Sequence, residues 1–132
     1  MTQEERELLL KDLCARLHYG VKVATINPAV EFGVISGISI ENKISVRTKH
    51  ADIVFDCEEI KPYLRSMSSM TEEEEKEYTS IDNRSYSCPK DYAHIPAQER
   101  IDWLNAHHFD YRGLISKGLA IKVTEENNPY KD

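Results

Sequence analysis

Residues 21–65 constrain the fold of this chain more than any other stretch, because their hydrophobic period is two. Val21 and Val23 flank Lys22, and the same alternation recurs further along the stretch. This is the pattern of half-buried β-strands. The apolar runs and the turn residues between them predict short strands over 21–26, 32–40, 44–48, 53–55 and 63–65.

One amphipathic helix is predicted before this stretch. Thr2 and Glu5 have the spacing of a capping box, in which the threonine hydroxyl accepts from the glutamate amide and the carboxylate reaches back. Leucines then recur at helical spacing and form one apolar stripe. Gly20 stands where such a helix would end. The pattern predicts a helix over 2–18 that packs on the sheet.

The order of the predicted strands indicates a small barrel. Gly33 and Gly37 lie inside the long second strand, where glycines mark a bulge or a sharp bend. A short strand, a long bent strand, two hairpin partners, a tight turn and a last short strand resemble an SH3-like barrel, whose closure removes exposed edges. We therefore predict an α+β fold, an N-terminal helix packed on a small SH3-like β-barrel. An open sheet of three or four strands under the same helix is the alternative.

The rest of the chain is predicted to be an acidic linker followed by a pair of short helices. A second capping box predicts a solvated helix over 72–79, and the turn-rich residues 80–95 are predicted to be loop. Pro96 and Asp110 are residue types suited to helix starts. Beyond them we predict helices over 97–107 and 111–117 and a strand over 119–123.

These predictions divide the chain into four parts. The helix and barrel occupy 1–66, and the acidic linker and loop occupy 67–95. A helical unit packed on the barrel follows over 96–124, and a flexible polar tail ends the chain over 125–132.

Charge and composition argue against several classes of protein. The net charge of the 132 residues is −6, and five glutamates and one lysine at positions 72–77 contribute −4 of it. No basic surface for nucleic acid is therefore evident. No apolar run reaches the ~18 residues of a membrane span, and the acidic N-terminus is not a secretory signal, so we expect a cytoplasmic protein. The three cysteines form no CxxC pair, which argues against disulfides and zinc and favours burial of Cys14 and Cys57.

His107, His108 and Asp110 form a cluster of metal-ligand residue types. Adjacent helical residues point about 100° apart, so both imidazoles would meet one ion only with help from elsewhere in the chain. The competing interpretation is that a histidine stabilises the C-terminus of the preceding helix. We predict no cofactor.

Two other candidates involve binding of a macromolecule. The helices over 97–117 have the spacing of a helix-turn-helix, whose second helix would carry Tyr111 and Arg112, although Gly113 interrupts it. Tyr63 and Arg65 could line a peptide groove on a small barrel, the alternative being that Tyr63 packs against the helix. The sequence contains no motif of nucleophilic or phosphate chemistry.

Three stretches of the sequence resemble a family of small uncharacterised proteins of gut anaerobic bacteria and their phages and mobile elements. They are LCARL with YGVK at 13–22, KPYLRSMSSMTEEE at 61–74 and WLNAHHFDYRGLI at 103–115. His18 departs from the family, which often has proline there. The resemblance implies a phage or prophage accessory protein in the bacterial cytoplasm, and it implies no activity, cofactor or catalytic residue.

The function predicted from these observations is a non-catalytic module that binds a host or phage protein. A nucleic-acid-binding regulator that uses the 97–117 helices or the barrel face is the alternative, and a small metal-dependent enzyme is the second alternative. The predicted binding residues are Tyr63, Arg65, His107, His108, Asp110 and Arg112.

Overall fold

The computed structural model describes residues 1–27, 32–87, 89–92 and 94–131. Three α-helices and six strands lie in these ranges. The helices are α1 (Gln3–Arg16), α2 (Glu72–Ser87) and α3 (His94–Ala106). The strands are β1 (Lys22–Thr25), β2 (Gly33–Ile38), β3 (Ile44–Arg47), β4 (Asp52–Phe55), β5 (Ile60–Leu64) and β6 (Ile121–Lys122).

Helix α1 forms as the sequence predicts. The Thr2 hydroxyl accepts from the Glu5 amide at 3.1 Å, and the Thr2 amide donates to the Glu5 carboxylate at 3.1 Å. A short 3-10 turn, Leu17–Tyr19, extends the helix to Gly20, whose φ of 67° is in the left-handed region that glycine adopts without a steric penalty. The predicted helix over 2–18 is therefore confirmed.

The six strands form one mixed sheet in the order β4-β3-β2-β1-β5-β6. The first four pairings are antiparallel, and β6 lies parallel to β5. The register of β2 against β3 shifts between Ile35 and Gly37, which is the bulge that the glycine pattern predicted. A Cβ at Gly33 would lie 2.3 Å from a methyl group of Val46, so this close approach of two strands requires glycine.

The sheet is open. Within the described residues β4 pairs only with β3, and the outer side of β5 is occupied by β6. Closure would bring the two ends of the sheet together, and β6 stands on the edge of β5 that such closure would use. The α+β fold class is confirmed, whereas the closed SH3-like barrel is not observed, and the open sheet has more strands than the alternative prediction allowed.

One hydrophobic core joins α1, the sheet and the segment after α3. Leu9 and Leu13 of α1 are fully buried against the inner face of the sheet. Leu114 and Leu119 come from the segment after α3 and lie in the same core. Buried with them are Val21, which precedes β1, and the strand residues Val23, Ile35, Ile44, Val46, Phe55, Ile60 and Leu64. Cys57 is buried as predicted, but Cys14 is exposed on α1.

Helices α2 and α3 pack against each other as a hairpin. The predicted helix over 72–79 continues to Ser87, so the loop predicted over 80–95 is wrong in its first half; positions 88 and 93 of it lie outside the described residues. Arg84 pairs with Glu99, and Arg100 pairs with Asp82, each at 2.9 Å. These ion pairs between helices compensate for a face that has few apolar residues of its own.

The segment after α3 departs from the sequence prediction. Residues 111–117, predicted to be a helix, form a series of turns, because Gly113 adopts a φ of 76°, which a right-handed helix does not accommodate. Asp110 still caps the segment, since its carboxylate accepts from the amides of Leu114 and Ile115, each at 2.9 Å. The strand predicted over 119–123 is observed as β6. None of the helices in the described ranges is long and apolar enough to cross a membrane.

A buried ionic network joins the first helix to the segment after α3. Asp12 and Arg16 of α1 are fully buried, and Arg16 Nε donates to Asp12 Oδ2 at 2.8 Å. Arg112 Nη1 donates to the other carboxylate oxygen at 2.8 Å, and Arg16 Nη2 donates to the Phe109 carbonyl at 2.6 Å. The carboxylate thus faces two guanidinium groups from opposite ends of the chain.

We expect Asp12→Asn to lower the free energy of unfolding by about 3–5 kcal/mol, because removal of one partner leaves a buried guanidinium without its countercharge. Urea unfolding followed by circular dichroism measures this loss. The control is Lys11→Ala at the neighbouring exposed position, which should change stability by less than about 0.5 kcal/mol. Equal losses in the two variants would contradict the role of the network.

Candidate functional site

Four of the six predicted binding residues meet where the end of β5 contacts the segment after α3. The Arg65 amide donates to the His108 carbonyl, and the Asp110 amide donates to the Arg65 carbonyl, both at 2.8 Å. This single parallel bridge, Arg65 to Phe109, brings His107, His108 and Asp110 beside the strand. His107, His108 and Asp110 are neighbours in the sequence and were predicted as one cluster, and the structure places Arg65, a separate candidate, beside them.

Arg65 is engaged by its own chain. Its guanidinium forms two parallel hydrogen bonds to the Glu74 carboxylate, at 2.8 and 2.6 Å, and lies 4.2 Å from the centre of the Phe109 ring. The hydrogen bonds from Arg65 lower the pKa of Glu74 to about 2. Both side chains are largely shielded from solvent. Arg65 therefore fastens the start of α2 to the end of the sheet.

His107 belongs to an aromatic cluster on the same side. Its ring lies 4.2 Å from that of Trp103, and the Trp103 ring stacks on Phe109 with centroids 5.7 Å apart. His107 Nδ1 lies 3.4 Å from a carboxylate oxygen of Glu74.

His108 points to a different neighbour. Its φ of 63° is in the left-handed region, and its ring stacks on Tyr130 with centroids 3.9 Å apart and an angle of 10° between the planes. Burial, with a smaller contribution from nearby cations including Arg16, lowers the pKa of His108 to about 4. Its Nδ1 is buried and has no partner among the described residues. The ring is therefore held in its neutral form.

The metal alternative finds no geometric support. The two imidazoles engage different partners, and the Asp110 carboxylate is used by backbone amides. No group of three metal-ligand side chains stands close enough to hold an ion in the part of the chain that the structure describes.

The other two predicted residues also have partners. Arg112 pairs with Asp12 and lies 4.7 Å from the centre of the Tyr111 ring, so it belongs to the buried network. Because 111–117 is not a helix, Arg112 does not lie on a DNA-reading helix, and this half of the helix-turn-helix prediction is wrong. Tyr63 is half-buried, and its backbone carbonyl accepts from the Tyr130 hydroxyl at 2.7 Å.

Sequence analysis missed Tyr130. Its hydroxyl accepts from the Lys22 amide at 3.0 Å and donates to the Tyr63 carbonyl, so it bridges β1 and β5 beyond their last paired residues. Burial raises the pKa of Tyr130 well above its ordinary value. The signal that could have identified it is a single aromatic residue after proline in an otherwise polar tail.

A second surface, the outer edge of β4, was also missed. Val54, on the outer face of this strand, is 60% exposed, and Ile40, at the tip of the β2–β3 hairpin, is fully exposed. Arg47 pairs with Asp52 at 3.5 Å across the face of β3 and β4. The unpaired backbone N–H and C=O groups of an exposed edge strand can pair with a further strand.

An open hollow of about 850 Å³ lies along the outer face of α2. Its wall is polar and carries charges of both signs, whereas small-molecule sites are predominantly apolar and enclosed. The residues that line it are Glu72, Glu75, Lys76, Thr79, Ser80, Asn83 and Arg84. We find no paired nucleophile and base among them.

No protein-family model matches this chain, and no curated protein and no solved structure matches it significantly.

Replacing Glu74 with glutamine should lower the free energy of unfolding by about 1.5–3 kcal/mol, because the charge-assisted bonds to Arg65 are lost in a shielded site. The matched control is Glu73→Gln on the exposed side of the same helical turn, expected to change stability by less than about 0.5 kcal/mol. Chemical unfolding of both variants at pH 7 decides the point. Indistinguishable stabilities would show that the pair contributes nothing.

The low pKa of His108 predicts a dependence of stability on pH. The unfolded chain has an ordinary histidine pKa of about 6.5 and binds the proton more readily than the folded chain does. The neutral His108 ring therefore contributes fully to the free energy of unfolding above about pH 6.5. This contribution is lost as the pH falls towards 4, because the unfolded chain takes up the proton first.

We expect the wild-type chain to lose more stability between about pH 6.5 and 5 than His108→Asn, since asparagine tolerates a positive φ and does not titrate. Carboxylates remain largely ionised in this window, so their titration contributes little. Unfolding curves at several pH values measure the difference, and parallel pH profiles would refute the assignment.

Proposed function

We propose that this protein is a non-catalytic protein-interaction module that binds an extended segment of a partner at the outer edge of β4. The observation that carries the proposal is the open sheet: within the described residues the outer side of β4 has no neighbouring strand. Addition of a strand at such an edge supplies main-chain hydrogen bonds, and exposed side chains supply selectivity.

The side chains of β4 suit this mode of binding. Ile53 and Phe55 face the core and fix the strand, while Val54 lies between them on the outer face. Asp52 and Asp56 flank Val54 and are paired with Arg47 and Lys43 of the neighbouring hairpin. Both ends of the edge are therefore largely neutralised by ion pairs, which limits repulsion of an incoming strand.

The alternatives receive less support. Asp110, a candidate for metal chemistry, and Arg112, a candidate for contact with DNA, are occupied by intramolecular bonds. The net charge of −6 disfavours phosphate backbones. A binding role therefore fits the available surfaces better than catalysis or nucleic-acid recognition.

The proposal includes a relationship of strands β1–β5 to SH3-like barrels. Their sequential antiparallel pairing, the return of β5 to β1 and the 3-10 turn Cys57–Glu59 before β5 support it. In this view β6 takes the position at which a smaller barrel would close. Because one fold hosts many functions, the architecture by itself does not identify a partner.

The proposed setting is a phage or prophage, with the protein acting on a host or phage protein in the bacterial cytoplasm. Its support is the sequence resemblance carried by residues 13–22, 61–74 and 103–115.

Affinity capture with the immobilised chain from bacterial lysate, with and without phage infection, tests the proposal. We expect wild type to capture a protein, and Val54→Lys to retain about tenfold less of it, because a lysine on an edge strand opposes pairing. The matched control is Ile95→Lys, which makes the same kind of change at a similarly exposed site on α3.

A nuclease step and a salt series complete the design. Capture that disappears with nuclease, or that weakens steeply with salt, would assign the protein to nucleic-acid binding. A partner bound equally by all three folded proteins would rule out the β4 edge, and absence of any captured protein would count against the interaction module.

A further inference from the structure

The last described segment binds the rest of the chain mainly through two adjacent residues. Lys22 Nζ donates to the Pro129 carbonyl at 2.6 Å, and the Tyr130 hydroxyl bridges the Lys22 amide and the Tyr63 carbonyl. The ring of Tyr130 stacks on His108. Pro129 and Tyr130 together thus make one hydrogen bond to a side chain, two hydrogen bonds to backbone groups and one ring-stacking contact.

The Tyr130 hydroxyl makes two specific hydrogen bonds at this position. It accepts from an amide and donates to a carbonyl at the point where β1 and β5 stop pairing, so it takes the place of a hydrogen bond between the strands. A phenylalanine would fill the same volume but would remove the hydrogen-bond partner of both backbone groups, which costs free energy in this partly buried site. The groove therefore distinguishes tyrosine from phenylalanine.

The residues between β6 and Pro129 are held by hydrogen bonds within their own segment. The Thr124 amide donates to the Asn127 side chain at 2.6 Å, the Asn127 side chain donates to the Lys122 carbonyl at 3.2 Å, and the Tyr130 amide donates to the Asn128 side chain at 2.9 Å. The hydrogen bonds described for residues 124–128 all stay within 122–131. This part of the chain is a structured tether that carries a separate two-residue ligand.

His108 presents its ring to Tyr130 from the end of α3. Its φ of 63° belongs to the cap of that helix, in which the His108 amide donates to the Asn105 carbonyl at 3.1 Å and the Phe109 amide donates to the Leu104 carbonyl at 3.0 Å. The buried Nδ1 has no partner among the described residues, and the flat face of the imidazole stacks on Tyr130.

We propose that the groove formed by Lys22, Tyr63 and His108, called here the tyrosine groove, binds a tyrosine-containing segment of a partner protein. The chain's own Pro129 and Tyr130 occupy it as an intramolecular competitor. The ligand class follows from the contacts: a stacking ring, a hydroxyl that both donates and accepts, and a preceding carbonyl that meets an ammonium group. This groove is a second surface of the module, and its use does not depend on the β4 edge.

The competing segment is tethered to the groove, which raises the affinity that a partner segment needs in order to displace it. A ligand on a short linker has an effective concentration of about millimolar, so free segments of similar affinity bind poorly while the tail is in place. Removal of the Tyr130 side chain from the otherwise complete chain should vacate the groove.

The experiment is fluorescence anisotropy with a labelled peptide that has the sequence of residues 124–131, added to full-length wild type and to full-length Tyr130→Ala. We expect the variant to bind the peptide about tenfold or more tightly than wild type, because the tethered competitor is gone. A peptide with phenylalanine in place of its tyrosine should bind the variant about tenfold more weakly.

Folding of the variant is checked by its melting curve, and Tyr130→Phe, which keeps the ring in the groove, provides a second test. The peptide should displace the weakened tail of Tyr130→Phe more readily than that of wild type. Equal binding of both peptides, equal binding to all three proteins, or no binding to a folded variant at millimolar peptide would overturn the proposal.

Two further results distinguish partner binding at the tyrosine groove from self-association and from binding at the β4 edge. A wild-type dimer that becomes a monomer in Tyr130→Ala would assign the groove to a second copy through exchange of tails, and the partner proposal would be wrong. The Val54→Lys variant keeps the groove intact and should bind the peptide as wild type does. If folded Tyr130→Ala fails to bind the peptide while the wild-type chain still captures a protein through the β4 edge, this inference alone is refuted.

Discussion

The structure depends on one fully buried carboxylate. Asp12 accepts hydrogen bonds from Arg16 of the same helix and from Arg112 of the segment after α3. Arg16 also donates to the carbonyl of Phe109. Two guanidinium groups that share one buried countercharge leave little freedom for the elements that carry them, because separation of any partner leaves a desolvated charge unpaired. The network therefore fixes where residues 109–112 cross the first helix.

That crossing determines the neighbouring features. With Phe109 held by Arg16, the preceding residues bridge to Arg65 at the end of β5, and Arg65 can reach both Glu74 and the Phe109 ring. His108 is then forced into its left-handed conformation beside Tyr130. Arg65, Asp110 and Arg112, which were predicted binding residues, instead form bonds within the chain. The two surfaces that we propose for partners are the edge of β4 and the tyrosine groove.

The local features of the fold could be predicted from sequence because short-range interactions dictate them. The capping box at Thr2, the glycine stop at Gly20 and the bulge near Gly37 each depend on residues close together in the chain. The errors have two sources: contacts between residues distant in sequence, and local turn signals to which the prediction gave too little weight. Helix α2 extends beyond its predicted end because Arg84 and Asp82 find partners on α3, and 111–117 fails to become a helix because Gly113 and the cap by Asp110 favour turns.

The sequence by itself determined the α+β class, the first helix and the approximate positions of β1 to β4. Hydrophobic period, capping and turn chemistry are properties of neighbouring residues, so they can be recognised without a structure. Only the tertiary structure decided that the sheet stays open, that Arg65 and Arg112 are occupied, and that Tyr130 lies between two strands. Each of these depends on contacts between residues distant in sequence, as Lys22 and Tyr130 are, and no local pattern encodes such a contact.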